Sequence, residues 1–436
     1  MHMKSRARTC WPLIAIGVLV LLLPAPSAAQ AAPPATPQTL PARVTLDEAV
    51  DLALKHNHSL QAARTTILQN QAQEITANLR PNPTLSGDTQ FLPFFTPKDF
   101  TASYLDNNAQ FDLGVGYLFE RGKKRQHRLQ AAKDQTAVTT AQVGDNERTL
   151  TFNVASQFVA AILAQANVQL ADTDLKSFQQ TVDIGEEKTK AGAMSEGDLL
   201  KIKLQLLQFQ TDVSAAKLAR LQALASLRQL LGYESVPETF EVVGDLEYKP
   251  VKLGKDDLEA MALRQRPDVR AARLGITAAE SQLALAQANG KRDVNASMNY
   301  SHVGDANSVS IFGSIELPFF DRNQGEIART RYAVGQSQEL SSEQASLALT
   351  DVENSYESLR TNDEVVQLYQ SGYLKESEDS RDISQYAYQR GAASLLDFLD
   401  AERSYRATQL AYRQALASYM ISLEQLRQAV GTRSLP

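Results

Sequence analysis

The sequence is nearly free of cysteine, since Cys10 is the single one among its 436 residues. This cysteine precedes an apolar run, Leu13–Leu23, of the kind found in a secretory leader. Lipid attachment would need a cysteine just after the run, so we expect no lipid anchor. Because Cys10 leaves with the leader, we expect neither a disulfide nor thiol chemistry in the mature protein.

Histidine and methionine are also scarce, with five and six residues. His56 and His58 lie two positions apart, on different sides of a helix, which makes them a poor pair of metal ligands. The chain has no glycine-rich phosphate loop, no nucleophile elbow and no convincing catalytic histidine–carboxylate set. We therefore predict no catalytic, cofactor-binding or metal-binding residues, and no enzyme activity.

Long apolar runs and excess positive charge are missing too. Outside the leader no stretch approaches the roughly 18 apolar residues that a transmembrane helix needs. The formal net charge is −6, which argues against nucleic-acid binding because that requires a basic face. A small-residue cleavage site, Ser27-Ala28-Ala29, completes the predicted signal peptide over 1–29. The proline-rich stretch 30–42 is expected to be a linker.

The most informative feature that the sequence does have is an internal duplication. Leu52–Arg64 reappears as Met261–Arg273, at an offset of about 209 residues. Further along, Gly192–Asp198 aligns with Gly391–Asp397 at an offset of about 199. A duplicated half of this length indicates a pseudo-symmetric scaffold rather than an enzyme.

Each half has the same predicted order of short helices, alternating strands and very long helices. Thr45 and Glu48 form a capping-box pattern at the first helix. No proline interrupts Gly122–Lys190, which as one helix would be about 100 Å long. Its counterpart is predicted from about Gln324 to Arg390. The predicted divisions are short helices at 43–82 and 257–291, β-hairpins at 83–120 and 292–319, long coiled-coil helices at 121–232 and 320–431, a mixed equatorial segment at 233–256 and a tail at 432–436.

The predicted strands alternate strictly between apolar and polar residues. The first pair covers Thr84–Phe91 and Ala109–Phe119, with a loop expected over Phe94–Asn108. The second pair flanks a tight turn at Gly304–Asn307. Strands of about ten residues with one apolar face are typical of a transmembrane β-barrel. An ordinary half-buried sheet in a soluble protein would show the same alternation.

Four strands are too few for a barrel, because the smallest barrels have about eight. A membrane interpretation therefore requires several copies. Two copies would give eight strands with a filled interior, and three would give twelve with room for a channel. The long helices also need partners, since a helix of this length must bury its apolar stripe in a coiled coil. We expect a ring of helices continuous with a barrel.

In these features the chain resembles the TolC-like outer-membrane efflux proteins, across nearly all of its mature length. The resemblance rests on the duplicated plan, on Arg80–Pro83 before the first strand and on Gly391–Glu402 at the second long turn. It implies a mainly helical fold with a membrane β-barrel, as a trimeric twelve-stranded barrel on an α-helical periplasmic tunnel. We accordingly expect the outer membrane of a Gram-negative bacterium as the location.

Two further segments, Phe119–Arg125 and Leu317–Gly325, are similar to the CzcC-type heavy-metal branch, although Arg121 and Lys123 depart from its pattern. The resemblance implies a homotrimeric passive exit duct, docked to a periplasmic adaptor and an inner-membrane RND-type pump. The cargo would be divalent heavy-metal cations. A drug-efflux or type I secretion duct, or a soluble periplasmic coiled-coil adaptor, is the alternative.

Asp397, Asp400 and Tyr388 match residues that close the periplasmic aperture in TolC-like proteins. Three chains would bring six carboxylates together, where like charges raise each other's pKa and attract cations. A solvated acidic helix start is the alternative explanation, because aspartate favours a helix N-terminus. Asp198 aligns with Asp397, but Lys201 aligns with Asp400, so we expect the second half to form the constriction.

The two turns at the ends of the long helices are the predicted adaptor contacts, by analogy with the family. Glycine is expected at the end of each long helix, and serine as the N-cap of each returning helix. The predicted docking residues are Gly192, Ala193, Ser195, Gly391, Ala392 and Ser394.

Overall fold

The computed structural model describes residues 43–251 and 253–435. The predicted signal peptide at 1–29, the linker at 30–42 and Cys10 lie outside the described residues. Within the described ranges the chain is mainly helical, with ten α-helices and six strands.

The first repeat begins with a two-residue strand, β1 (Arg43–Val44), and two helices, α1 (Leu46–His56) and α2 (His58–Asn78). Glu48 Oε2 accepts a hydrogen bond from the Thr45 amide at 2.9 Å, while the Thr45 side chain accepts one from the Glu48 amide. The predicted capping box is therefore present. The repeat continues with β2 (Thr84–Gln90), α3 (Ala102–Asn108), β3 (Gln110–Phe119), α4 (Lys124–Lys190) and α5 (Glu196–Leu231).

The second repeat follows a connecting strand, β4 (Glu241–Val242), which pairs in parallel with β1. Of this pair, β4 lies in the segment 233–256 that was predicted to be mixed, whereas β1 precedes the first predicted helices. The repeat consists of α6 (Lys255–Gln265), α7 (Pro267–Asn289), β5 (Val294–Val303), β6 (Ala306–Ile315), α8 (Gln324–Leu368), α9 (Leu374–Gln389) and α10 (Leu395–Val430). Apart from α3 and the division between α8 and α9, its order matches that of the first repeat, as the duplicated sequence predicts.

The structure differs from the sequence prediction in two places. The expected loop over Phe94–Asn108 contains α3, whose N-cap Thr101 accepts a hydrogen bond from the Tyr104 amide. The expected single helix from Gln324 to Arg390 is interrupted by a turn of π-helix, in which Gly372 has φ 152° and ψ −28°. Glycine adopts this backbone conformation readily, and serine–glycine pairs are common sites of helix kinks.

The four long strands form one antiparallel sheet in the order β2-β3-β5-β6. The two hairpins join through β3 and β5, which pair from Gln110–Val303 to Phe119–Val294. Gly304, with φ +54°, and Asp305 form the predicted tight turn between β5 and β6. Within the described chain, β2 and β6 each have a hydrogen-bonded neighbour on one side only.

One face of this sheet is apolar from edge to edge. Leu85, Val115, Met298 and Ile311 form a row across all four strands. Each of these side chains is between 49% and 80% exposed in the single chain. The predicted alternation is thus confirmed as a continuous apolar surface that no described residue covers.

The opposite face carries mainly small and polar side chains. Three apolar side chains also lie on this face: Leu118, Val303 and Phe312. Phe312 lies in one row with Ser297 and Gly116. The small residues beside Phe312 leave space for its ring. Aromatic side chains often cover strand glycines in this way.

The helical layer next to the sheet has the same order as the sheet. Helix α2 packs on α4, α4 on α7, and α7 on α8. Further from the sheet, α5 packs on α4, α4 on α10, and α10 on α8 and α9. The first layer therefore ends at α2 and α8, and the second at α5 and α9.

Clusters of buried side chains pack the helices within each repeat, and the first two clusters are equivalent in position. One cluster, around Phe158 and Leu227, joins α1, α4 and α5. Another, around Tyr419 and Leu426, joins α6, α8 and α10. A third cluster lies near the far ends of the long helices and contains Phe178 of α4.

Among the described helices, α4 alone contains an 18-residue window that is apolar enough to cross a bilayer. In this structure 44% of the window is buried, and α4 packs against α2, α5, α7 and α10. Core helices share this length and composition, so the window does not identify a membrane-spanning helix.

Candidate functional site

The predicted site lies at the two turns where the long helices end. Gly192 and Gly391 have φ +71° and +76°, the left-handed conformation expected after a helix. The amide of Ala193 donates to the Lys188 carbonyl oxygen at 2.8 Å, which closes the turn as a Schellman motif. The second turn has the equivalent bond at the same length. The two turns are therefore built alike.

Each returning helix begins at the predicted serine. The Ser195 side chain accepts a hydrogen bond from the Asp198 amide at 3.1 Å. Ser394 accepts one from the Asp397 amide at 3.2 Å, and the Asp397 carboxylate accepts one from the Ser394 amide at 3.1 Å. The second turn therefore forms a complete capping box.

All six predicted docking residues are exposed in the single chain. They present backbone and small side chains at the end of the two helical hairpins. Their role in docking stays a prediction. The six residues are Gly192, Ala193, Ser195, Gly391, Ala392 and Ser394.

The gate aspartates have different local partners. Hydrogen bonds from the Ser394 hydroxyl and amide lower the pKa of Asp397. Asp400 is exposed, and its Oδ1 lies 3.8 Å from Arg403 Nη1. The sequence predicted raised pKa values for converging carboxylates, whereas one chain by itself shows a lowered pKa at Asp397. A raised value would need the carboxylates of several chains, and this stays a prediction.

Tyr388 lies against the apolar cluster rather than pointing freely from the tip. Its ring stacks on Phe398 with centroids 5.4 Å apart and planes at 5°. Its hydroxyl is buried and has no hydrogen-bond partner among the described residues. Burial raises the pKa of this hydroxyl, and the charge of Asp198 adds to the shift. Lys188 Nζ lies 5.5 Å from the ring centroid, so the first hairpin reaches the second here.

An apolar cluster beneath the turns joins both hairpins. Phe178 and Phe209 stack with centroids 4.6 Å apart, which ties α4 to α5. Leu395 and Phe398 bring α10 into the same cluster. The position of α10 relative to the first hairpin is therefore partly set by burial of apolar surface.

Sequence analysis missed a buried ion-pair network on the same helices. Arg406 of α10 lies 3.2 Å from Asp174 of α4 and 2.6 Å from Asp212 of α5. A signal was present, because Asp174 interrupts an apolar helical stripe that contains Leu170 and Phe178. A carboxylate at such a position predicts a charged partner, but helical spacing cannot say which one.

In residues 43–251 and 253–435, no group of three or more histidine, cysteine, aspartate or glutamate side chains is arranged to hold a metal ion. His58 is exposed and lies 3.2 Å from Glu234. The chemistry available at the candidate site is therefore that of carboxylates at the end of a helical hairpin.

The sequence model of the family described as Outer membrane efflux protein matches two segments, 49–233 and 258–432. The chain belongs to this family. The two matched segments correspond to the two repeats. The chain is thus related to outer-membrane efflux channels, and its TolC-like resemblance is confirmed.

Individual relatives match over most of their length. The cobalt-zinc-cadmium resistance protein CzcC of Cupriavidus metallidurans is 23% identical over 382 residues, which cover 87% of this chain and 88% of CzcC. The cation efflux system protein CusC of Escherichia coli strain K12 is 28% identical over 379 residues, covering 82% and 79%. A crystal structure of CusC superposes with a TM-score of 0.73 at 21% identity, covering 93% of this chain and 99% of that one. The fold is therefore that of the solved efflux channels.

Proposed function

We propose that three copies of this chain form a passive exit duct in the outer membrane, for divalent metal cations delivered by an inner-membrane pump. The observation that best supports a trimer is that the sheet and the adjoining helical layer both have two open edges, at matching positions. The sheet ends at β2 and β6, and the adjoining helical layer ends at α2 and α8.

The sheet edges favour closure by further copies. An open strand edge in a bilayer leaves backbone groups without hydrogen bonds, which costs several kcal/mol for each group. Pairing β6 of one chain with β2 of the next would satisfy these groups. Four strands from each of three copies make a twelve-stranded barrel, wide enough for a channel.

The helices carry a second argument for the same assembly. Five leucines of α5 are between 55% and 68% exposed and lie in one heptad register, in which Thr211 and Ser214 occupy the two positions between the third and the fourth leucine. Such a stripe belongs at a coiled-coil contact, and α5 lies at the open end of its layer. The leucines are Leu200, Leu204, Leu207, Leu218 and Leu221.

The apolar face of the sheet supports the membrane location. A continuous exposed apolar surface of this kind marks a membrane or a protein interface. Its strands are seven to ten residues long, close to the length that spans an outer membrane. We infer that this face meets lipid and that the small, polar face lines the channel.

The metal cargo is supported by relatives and by charge. CzcC is named for resistance to cobalt, zinc and cadmium, and CusC for cation efflux. In a trimer, Asp397 and Asp400 would place carboxylates around the tunnel end, where they attract cations.

The exposed turns around Gly192 and Gly391 would contact a periplasmic adaptor. We further infer that the leader over 1–29 is cleaved and that no lipid is attached.

Conductance of purified protein in planar bilayers tests the duct. We expect cation-preferring channels from detergent-stable trimers. Leu204→Asp should break the trimers, because it puts a charge into the leucine stripe, whereas Leu204→Ile, which keeps the stripe apolar, should leave them intact. Trimers unaffected by Leu204→Asp would contradict the proposed contact, and protein without any conductance would contradict the duct.

Tolerance of the parent organism to toxic compounds tests the cargo. Deletion of the gene should lower tolerance to cobalt, zinc or cadmium salts, and the intact gene should restore it. Sensitivity to dyes and detergents with unchanged metal tolerance would instead favour the drug-efflux alternative. Loss of a secreted protein would favour a type I secretion duct.

A further inference from the structure

The segments where the chain passes between the sheet and the helices are rich in positive charge. Four connectors make these passages, at 79–83, 120–123, 290–293 and 316–323. The connectors, with the two helical residues beside each, carry eight lysines and arginines against four carboxylates. At the opposite end of the sheet, the segments 91–109 and 304–305 carry one lysine and three aspartates. The two ends of the sheet therefore differ in the sign of their charge.

Most of the cations at the helix end have no acidic partner. The four carboxylates there are already paired with Arg128, Lys124 and Arg292, at N–O distances between 2.7 and 3.7 Å. Six cations, called the rim cations below, consequently form no ion pair with any described residue. A region lined by one sign of charge attracts molecules of the opposite sign. The rim cations are Arg80, Arg121, Lys123, Arg125, Lys291 and Arg322.

Two rim cations share a cavity with aromatic side chains. A cavity of about 280 Å³ has Arg80, Arg125, Tyr117 and Phe119 among its lining residues. The two rings lie edge to face, with centroids 4.9 Å apart. Arg125 Nη1 donates one hydrogen bond, to the Asn78 carbonyl oxygen at 3.4 Å, so other guanidinium N–H groups remain to donate. Guanidinium donors beside an apolar wall fit a phosphate that is joined to a hydrocarbon chain.

The level of this cavity along the sheet favours a lipid over a dissolved ion. Tyr117 and Phe119 alternate with polar positions on β3 and belong to the apolar face, which we infer meets lipid. Phe319 and Phe320, in the connector after β6, are 71% and 94% exposed. Exposed aromatic side chains at the end of such a face lie at the boundary between hydrocarbon and headgroups. The rim cations follow directly, at the level of the lipid phosphates.

We propose that Arg80 and Arg125 bind the phosphate of an anionic phospholipid in the membrane leaflet next to the helices. The other four rim cations attract further anionic headgroups at the same level. This binding fixes the height of the barrel in the membrane and the position of the helices below it. The site rests on the proposed function, because a barrel in a membrane is what brings lipid to this level.

Native mass spectrometry of purified trimers tests the site. Trimers in detergent receive equal amounts of phosphatidylglycerol, which is anionic, and phosphatidylcholine, which is neutral overall. We expect retained phosphatidylglycerol to exceed phosphatidylcholine about tenfold, since each cation close to an anionic headgroup strengthens binding severalfold. Arg80→Gln with Arg125→Gln should remove most of this preference. Arg80→Lys with Arg125→Lys should give an intermediate preference, because lysine cannot donate two parallel hydrogen bonds to a phosphate.

Lys176→Gln with Arg273→Gln is the matched control. Both residues are exposed, lie on helices away from the rim and form no ion pair with any described residue. The two changes remove the same charge as the test variant, so the preference should equal that of the unaltered trimers.

The outcomes separate the lipid site from the duct. Equal retention of the two lipids by unaltered trimers, or an unchanged preference in Arg80→Gln with Arg125→Gln, would overturn the site, and conductance of the same protein would leave the duct in place. Displacement of phosphatidylglycerol by an equal concentration of inorganic phosphate would show a site for the free ion and also overturn the proposal. Trimers that prefer phosphatidylglycerol but never conduct would overturn the duct instead. If the double variant forms no trimers, Arg125→Gln alone decides, because its preference must still fall.

Discussion

The two helical hairpins share a design but differ in the continuity of their long helix. In the first hairpin α4 is one helix of 67 residues. In the second, the corresponding stretch is divided at Gly372 into α8 and α9. Thr173 occupies the position of Gly372 in the first hairpin, at the offset of about 199 that relates the halves. The two copies thus share their architecture, and the helix interruption is present in the second copy only.

The joints between the short and long helices show the same division. In the first repeat Asn57 Nδ2 donates a hydrogen bond to the Leu230 carbonyl oxygen at 3.0 Å. At the equivalent place in the second repeat, Arg266 Nη1 donates one to the Ala429 carbonyl oxygen at 3.2 Å. A neutral helix cap in one repeat is replaced by a buried cation in the other.

Equivalent substitutions at these two joints should give the largest difference in stability between the repeats. Arg266 is 3% exposed and lies 2.6 Å from Asp268 and 2.9 Å from Asp351. Arg266→Ala should destabilise the protein by about 3 kcal/mol, because it leaves the shielded Asp268 carboxylate with Arg148, 3.5 Å away, as its remaining counter-charge. Asn57→Ala should cost only about 1–2 kcal/mol, as loss of a cap. Loss of helical circular dichroism on heating measures both, and an equal effect of the two changes would show that the joints are equivalent.

The interruption at Gly372 should give the next largest effect. A side chain is strained at φ 152°, so Gly372→Ala should cost about 1–3 kcal/mol or straighten the helix. Thr173→Ala, within the regular helix α4, should be neutral or slightly stabilising because alanine is the better helix former. Thermal unfolding of both variants makes the comparison. A Gly372→Ala protein as stable as wild type, with unchanged conductance, would mean that the interruption has no mechanical role.

The tips should differ in ion preference. Asp397→Asn with Asp400→Asn should lower the cation-over-anion permeability severalfold, because it removes the carboxylates of the second tip. Lys201→Asp should raise that ratio modestly by making the first tip resemble the second. Reversal potentials in salt gradients measure both changes. Unchanged selectivity in the double variant would exclude these aspartates from the constriction.

The smallest expected effect concerns pH. Hydrogen bonds from Ser394 lower the pKa of Asp397, so its charge persists as pH falls below the usual aspartate range. Ser394→Ala should raise this pKa towards its ordinary value, and cation preference should then be lost at a higher pH. Ser195→Ala should matter less, because Lys201 as well as Ser195 lowers the pKa of Asp198. The reversal potential measured as a function of pH tests this prediction. The same midpoint pH for wild type and Ser394→Ala would contradict it.

Local signals were sufficient to predict most of the regular structure. Capping at Thr45 and Ser394 depends on neighbours in sequence, and alternation depends on a strand having two faces, so both are visible without a structure. The Ser371–Gly372 pair was a visible signal as well, but the helical pattern continues through it and predicted an unbroken helix. Thr101 likewise marked the start of α3 inside the expected loop.

The candidate site was predictable only where it is local. The turns at Gly192 and Gly391 follow from glycine chemistry and the repeat. The pairing of Arg406 with Asp174 depends on how two hairpins pack, which helical spacing does not specify. The lowered pKa of Asp397, in contrast, follows from the local cap at Ser394.

If three copies assemble as proposed, the open outer edges of β2 and β6 have a consequence for biogenesis. Before assembly, each newly made chain carries two free strand edges, which are ready templates for incorrect pairing with any other extended segment. Encounter of further copies is a concentration-dependent step that can take from milliseconds to minutes. Synthesis must therefore be matched by chaperoning in transit. A copy that carries one damaged edge would also spoil the intact copies with which it assembles, so that such a defect would be genetically dominant.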